Sequence, residues 1–125
     1  VVLDASAILA VISGEPGSEK LTPDLLARAV SSTVNLAEVQ GKLVSRGWAS
    51  EQAWEDATSP VREIMSFDEE HARIAGDLVI QTQHLGLSLA DRACLALGLS
   101  LRAPVYTADK AWKKLKVSVK IHAIR

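Results

Sequence analysis

Four acidic residues stand where chemistry is possible: Asp4, Glu38, Asp91 and Asp109. Asp4 ends the apolar run Val1-Val2-Leu3, and Asp109 follows Val105-Tyr106-Thr107. Glu38 sits between Ala37 and Val39, and Asp91 interrupts the almost wholly apolar stretch from Gly86 to Leu97. Carboxylates gathered in one partly buried place repel, and they bind protons at neutral pH unless a cation compensates them. All-oxygen donors favour Mg²⁺ or Mn²⁺ over zinc. The three histidines show no H-x-x-x-H or similar spacing, so zinc is not expected. Carboxylate-held metal beside a basic surface suits attack of an activated water on a phosphodiester.

Each acid also has a plainer use. Ser88 and Asp91 have the S-x-x-D spacing of a capping box at a helix start. Asp4 can cap the helix that follows it. Glu38 shares a polar helix face with Asn35 and Lys42, where a solvated glutamate–lysine pair is expected. Ser6, two residues after Asp4, Asn35, three before Glu38, and Thr107, two before Asp109, can orient a carboxylate or a metal-bound water. They can equally serve as ordinary caps and turns.

The elements that must position these residues follow from the hydrophobic pattern. Residues 1–3 read as a buried strand and 5–12 as a helix closed by Gly14-Glu15-Pro16-Gly17. Residues 18–29 form a modest amphipathic helix with Pro23 near its start or kinking it. A second strand spans 29–34, and a helix with Leu36, Val39 and Leu43 on one face spans 35–46. Another helix occupies 50–60 and a third strand lies within 62–67. Asp68 caps a helix through His84. Residues 89–101 are apolar on every side, which is the pattern of a buried helix. A strand at 103–107, a short helix at 111–115 and an alternating edge strand at 117–121 complete the chain. Strands alternating with helices imply an α/β domain on a mostly parallel sheet.

That topology joins the acids. Asp4 and Asp109 follow strands and share the carboxyl edge of a parallel sheet, where ligands bind. Glu38 follows the second strand by about one helical turn. The helix bearing Asp91 precedes a strand, so it runs antiparallel to the strands and its N-terminus returns to the same edge.

Composition bounds the rest. The 125 residues fit one domain, with 48% hydrophobic and 23% charged residues. A net charge of −1 gives no global field toward nucleic acid or membrane. The charge is uneven: residues 110–125 hold six basic residues and no acid. The single cysteine, Cys94, excludes an intrachain disulfide and fits a reducing, cytoplasmic setting. No uncharged run approaches the roughly 18 residues of a membrane span.

The motifs Val1-Val2-Leu3-Asp4-Ala5-Ser6, Ser32-Thr33-Val34-Asn35-Leu36-Ala37-Glu38-Val39, Gly86-Leu87-Ser88-Leu89-Ala90-Asp91 and Val105-Tyr106-Thr107-Ala108-Asp109 occur in order along nearly the whole chain. With them the chain resembles PIN domains, closely so the VapC-type toxins of toxin–antitoxin pairs. The resemblance implies a three-layer α/β/α fold around a parallel sheet. It implies a Mg²⁺- or Mn²⁺-dependent endoribonuclease, often a homodimer, held inactive by a cognate antitoxin. Asp4, Glu38, Asp91 and Asp109 would be its acidic set, with Ser6 and Thr107 beside them. The fourth acid varies most in the family, which makes Asp109 the least secure ligand.

Other residues suit RNA. Lys110, Lys113, Lys114 and Lys116 lie just beyond Asp109 and either bind RNA or form a solvated face; Arg92 adjoins Asp91 and either contacts phosphate or pairs with a neighbouring acid. Few aromatics leave no base-stacking platform, so recognition would rest on phosphates and RNA shape. Trp48 and Trp54 are core, or line a groove for an antitoxin helix. Two other functions compete. One is a catalytically silent RNA-binding or regulatory module of the same fold. The other is a phosphoryl-transfer domain with Asp4 as nucleophile. It lacks both the acidic pair that receivers need and the second Asp that the phosphatases carry where Ser6 stands.

Overall fold

A computed structural model describes residues 1–125. Five strands form one sheet in the order β3-β2-β1-β4-β5: β1 Val2–Leu3, β2 Val30–Ser32, β3 Glu63–Met65, β4 Val105–Thr107 and β5 Ile121–Ala123. Every pairing is parallel, with Val2 opposite both Val30 and Val105. The central strand is the most apolar, as burial on both faces requires. Successive side chains on a strand point to opposite faces. Leu3 accordingly joins the core under α1 (Ala5–Ser13), α3 (Thr33–Ser45) and α4 (Ser50–Thr58). Val2 joins the second core, with Leu78, Cys94, Leu95, Leu97, Val105 and Trp112, beneath α5 (Glu69–Asp77) and α7 (Leu89–Leu101). These are the three layers that the family resemblance implies.

Several boundaries differ from the sequence reading. Thr22 caps a fresh four-residue helix, α2 (Pro23–Leu26), and a 3₁₀ turn covers Ser18–Lys20, so no single helix spans 18–29. Proline at the first helical position has no amide to leave unpaired, so it starts this helix. The helix expected from 68 to 84 breaks at Leu78 into α5, α6 (Val79–Thr82) and a 3₁₀ turn at Gln83–Leu85. The short helix near 111–115 is 3₁₀, Lys110–Lys114. The edge strand is Ile121–Ala123, not 117–121. Val117 and Val119 alternate because they pack as loop residues on the second core, without a ladder.

Helix α7 owes its close approach to the sheet to Gly98. A Cβ there would meet Val105 Cγ2 at 2.5 Å, Val119 Cγ2 at 3.2 Å and the Ala103 carbonyl at 3.3 Å. Gly76 in α5 faces open space. Alanine is the better helix former at both positions, so packing decides the sign. Urea unfolding is expected to show Gly98→Ala destabilised by about 1–3 kcal/mol. Gly76→Ala should be stabilised by up to about 1 kcal/mol. A neutral Gly98→Ala would mean that this contact does not set the position of α7.

Candidate functional site

Asp4 is the residue around which the carboxyl edge is built. It is 4% exposed, between the end of β1 and the start of α1. Its Oδ1 accepts from the Ala7 amide at 2.8 Å, which caps α1, and from Ser6 Oγ at 2.7 Å. Its Oδ2 accepts from Thr107 Oγ1 at 2.6 Å, across the gap from β1 to β4. Each hydroxyl is itself oriented from behind. The Ala108 amide donates to Ser6 Oγ at 2.9 Å, and the Asp109 amide donates to Thr107 Oγ1 at 3.1 Å. Two amide–hydroxyl–carboxylate relays thus join the ends of β1 and β4, each bond polarising the next.

Burial pushes the Asp4 carboxyl up from 3.8 to about 6, and the charge of Asp91 adds to this. The hydrogen bonds from Thr107, Ala7 and Ser6 oppose the rise. Asp91 is therefore near enough to Asp4 to be felt. It also completes the expected capping box: the Ser88 amide donates to its Oδ2 at 2.9 Å, and its own amide donates to Ser88 Oγ at 3.2 Å. Cys94, fully buried one turn on, has its thiol raised well above the usual range by burial, and then by Asp4 and Asp91. It stays protonated behind the two acids.

Asn35 ties the second layer to this edge. It is buried in the first turn of α3, and its Nδ2 donates to the Ala90 carbonyl, beside Asp91, at 3.0 Å. Its Oδ1 is buried without a partner. Asp109 is exposed and caps the 3₁₀ turn, its Oδ1 accepting from the Ala111 amide at 3.0 Å. Glu38, in the second turn of α3, is partly exposed and makes no hydrogen bond or ion pair. The expected pairing with Lys42 does not form, which leaves both Glu38 oxygens free.

None of the four acids pairs with a cationic side chain. The chain's two ion pairs are Arg125–Glu15 and His71–Asp68. Nor are the four collapsed together, for no three of them bring ligand atoms within 4.8 Å. The group that does is Asp68, Glu70 and His71, at the start of α5. Sequence reasoning passed over it by seeking histidine pairs. The adjacent letters D-x-E-H were the available signal.

Arg92 turns away from the edge: its Nη1 donates to the Ala75 carbonyl at 2.8 Å and links α7 to α5. Lys110, Lys113, Lys114 and Lys116 are exposed. Lys114 and Lys116 share a cleft of about 340 Å³ with Ile80, Gln81 and His84. The larger cleft, about 600 Å³, lies around Arg102, Pro104 and Lys120, before β4. No acid of the set lines either one. Trp48 packs on the first core, while Trp54 is 42% exposed.

No curated protein sequence matches the chain. Among solved structures, DNA-bound VapBC from Salmonella typhimurium is similar with a TM-score of 0.76 at 16% identity, over 99% of this chain and 97% of that one. VapBC2 from Rickettsia felis, bound to a promoter DNA fragment, gives 0.75 at 21% identity, over 98% and 96%. Mycobacterium tuberculosis VapC20, a Sarcin-Ricin loop cleaving toxin, gives 0.71 at 16% identity, over 95% and 98%. The family model for the PIN domain matches residues 1–117, and the chain belongs to the PIN domain family.

Proposed function

We propose that this PIN domain is a metal-dependent endoribonuclease, the toxin of a toxin–antitoxin pair. The single observation that carries the reading is Asp4: a buried carboxylate, beside a second carboxylate, with no cationic side chain to balance it. Its donor set is all oxygen, which fits Mg²⁺ or Mn²⁺. Asp4, Glu38, Asp91 and Asp109 would hold the ion. When bound, such an ion acidifies a water and offsets charge developing on a phosphodiester.

The chain's own groups do the rest. Ser6 and Thr107 hold the two Asp4 oxygens in fixed directions. The capping box fixes Asp91 through Oδ2 and leaves Oδ1 free. Asn35 anchors the helix turn beneath it. Glu38, with no structural bond, is the acid free to accept a proton from the attacking water. As the water oxygen bonds to phosphorus the P–O3′ bond breaks, and the leaving O3′ takes a proton from solvent. A 5′-phosphate and a 3′-hydroxyl result, the products the family resemblance implies. The four exposed lysines beyond Asp109 supply phosphate contacts. The VapBC complexes among the structural relatives support an antitoxin partner, and we extend this to a homodimer acting in a reducing cytoplasm. No helix is long and apolar enough to cross a membrane.

Purified protein incubated with cellular RNA should cut it with Mg²⁺ or Mn²⁺ and stop on chelation. Asp4→Asn and Asp91→Asn should each lose at least about 100-fold in rate, and Thr107→Val about 10- to 100-fold. Asparagine can keep both caps, so the loss would not reflect unfolding. Cutting that survives chelator, or both Asn substitutions, would sink the mechanism; RNA binding without cutting would leave a silent module.

Replacing Lys110, Lys113, Lys114 and Lys116 with Gln should flatten the salt dependence of RNA binding, by about 0.7 in log–log slope for each lysine that contacts phosphate. An unchanged slope would remove them from the footprint.

The pH dependence of stability tests the charge argument directly. The native state holds the Asp4 proton more tightly than the unfolded chain does, about 6 against 3.8. Raising the pH through that window therefore removes stability, about 3 kcal/mol in all. In chelator, urea unfolding should show this fall, flattening above pH 6. Asp4→Asn should abolish the slope, and Mn²⁺ should restore stability at pH 7. Equal slopes for wild type and Asp4→Asn would show that Asp4 is not the group responsible.

A further inference from the structure

We propose that the first turn of α5 is a second, separate cation site, built for a borderline ion of the zinc class from Asp68, Glu70 and His71. One ligand atom of each residue lies within 4.8 Å of the others. The independent observation is His71. Its side chain is 6% exposed, yet its Nδ1 has no hydrogen-bond partner. That nitrogen stands 3.6 Å from Asp68 Oδ1, too long for a hydrogen bond. The Phe67 ring, 6.4 Å away and tilted by 54°, flanks the imidazole on the side of the chain that enters α5. A buried acceptor nitrogen facing a carboxylate is unfavourable unless a proton or a metal lies between them.

Metal bonds of about 2.0–2.2 Å set ligand atoms roughly 3.3–3.6 Å apart, so the three need close by no more than about 1.5 Å. Asp68 and Glu70 are exposed, so they can part to admit an ion and leave positions for water. One imidazole with two carboxylates favours zinc-class ions over Mg²⁺. The helix N-terminus carries about half a positive charge. Asp68, Glu69 and Glu70 crowd the same turn, and together they outweigh it. Asp68 already caps α5 through the His71 amide at 2.9 Å, so backbone and imidazole are presented from one residue.

The site is distinct from the acidic set and does not rest on the nuclease reading. Its role is structural: an ion here clamps the start of α5, the helix whose Ala75 carbonyl holds Arg92 next to Asp91.

The test titrates Zn²⁺ into the wild-type chain and into an Asp4→Asn/Asp91→Asn background, following each histidine's ring nitrogens by ¹⁵N NMR. The expected result is one equivalent bound in both proteins, with His71 Nδ1 as the nitrogen that moves. Asp68→Asn/Glu70→Gln, in which asparagine can keep the helix cap, should weaken binding at least tenfold. Three results would overturn the proposal. One is a His71 Nδ1 that carries a proton and ignores zinc. Another is a response confined to His84 or His122. The third is affinity lost in the Asp4→Asn/Asp91→Asn background but kept in Asp68→Asn/Glu70→Gln. Cleavage or non-cleavage of RNA leaves all of these outcomes unchanged.

Discussion

The constraint on which this molecule turns is the burial of one carboxylate at the centre of its sheet. Asp4 follows the innermost strand, where a charge is hardest to solvate. The chain meets this with three hydrogen bonds to its oxygens, drawn from α1 and from the end of β4. They do not cancel the desolvation, and the carboxyl remains well above its ordinary range. Such a residue destabilises the metal-free fold at neutral pH.

The surrounding architecture follows from bringing other elements to that point. β1 is only two residues long, so the end of the strand and the start of its helix nearly coincide. The parallel pairing of β1 with β4 sets Thr107 opposite Asp4. The crossover through α7 brings its N-terminus to the same edge, and Asn35 locks that turn against α3, a helix of the opposite layer. Gly98 lets the body of α7 lie close against β4. The apolar helix is thus a lever of fixed length with a carboxylate at one end.

Much of this was legible in the sequence. The strand–acid–helix junctions, the capping box at Ser88 and Asp91, and the parallel sheet follow from local pattern and the handedness of crossovers. Ser6 and Thr107 were legible as neighbours of Asp4 and Asp109 in sequence. That both hydroxyls converge on Asp4 was not, because that contact joins residues 103 positions apart. The same limit hid His71, whose unpaired nitrogen is a matter of burial rather than spacing. Local pattern also misjudged 117–121, where alternation arose from packing on a core instead of strand pairing. At Leu78 an amphipathic pattern continued through a break between two helices. The Glu38–Lys42 pair had the right spacing, yet solvated side chains gain too little to hold one geometry.

Three of the four acids are also structural. Asp4, Asp91 and Asp109 each cap a helical segment through one oxygen, and at Asp4 the neighbouring hydroxyls add further bonds. Glu38 alone owes nothing to the fold. This sharing has an evolutionary meaning. A change that removes the acceptor oxygen at any of three positions unseats a cap, whereas a helix-forming replacement at the fourth breaks no hydrogen bond. Loss of the acidic edge by drift therefore has its least obstructed route through Glu38, the one acid whose replacement the hydrogen bonds of the fold do not resist.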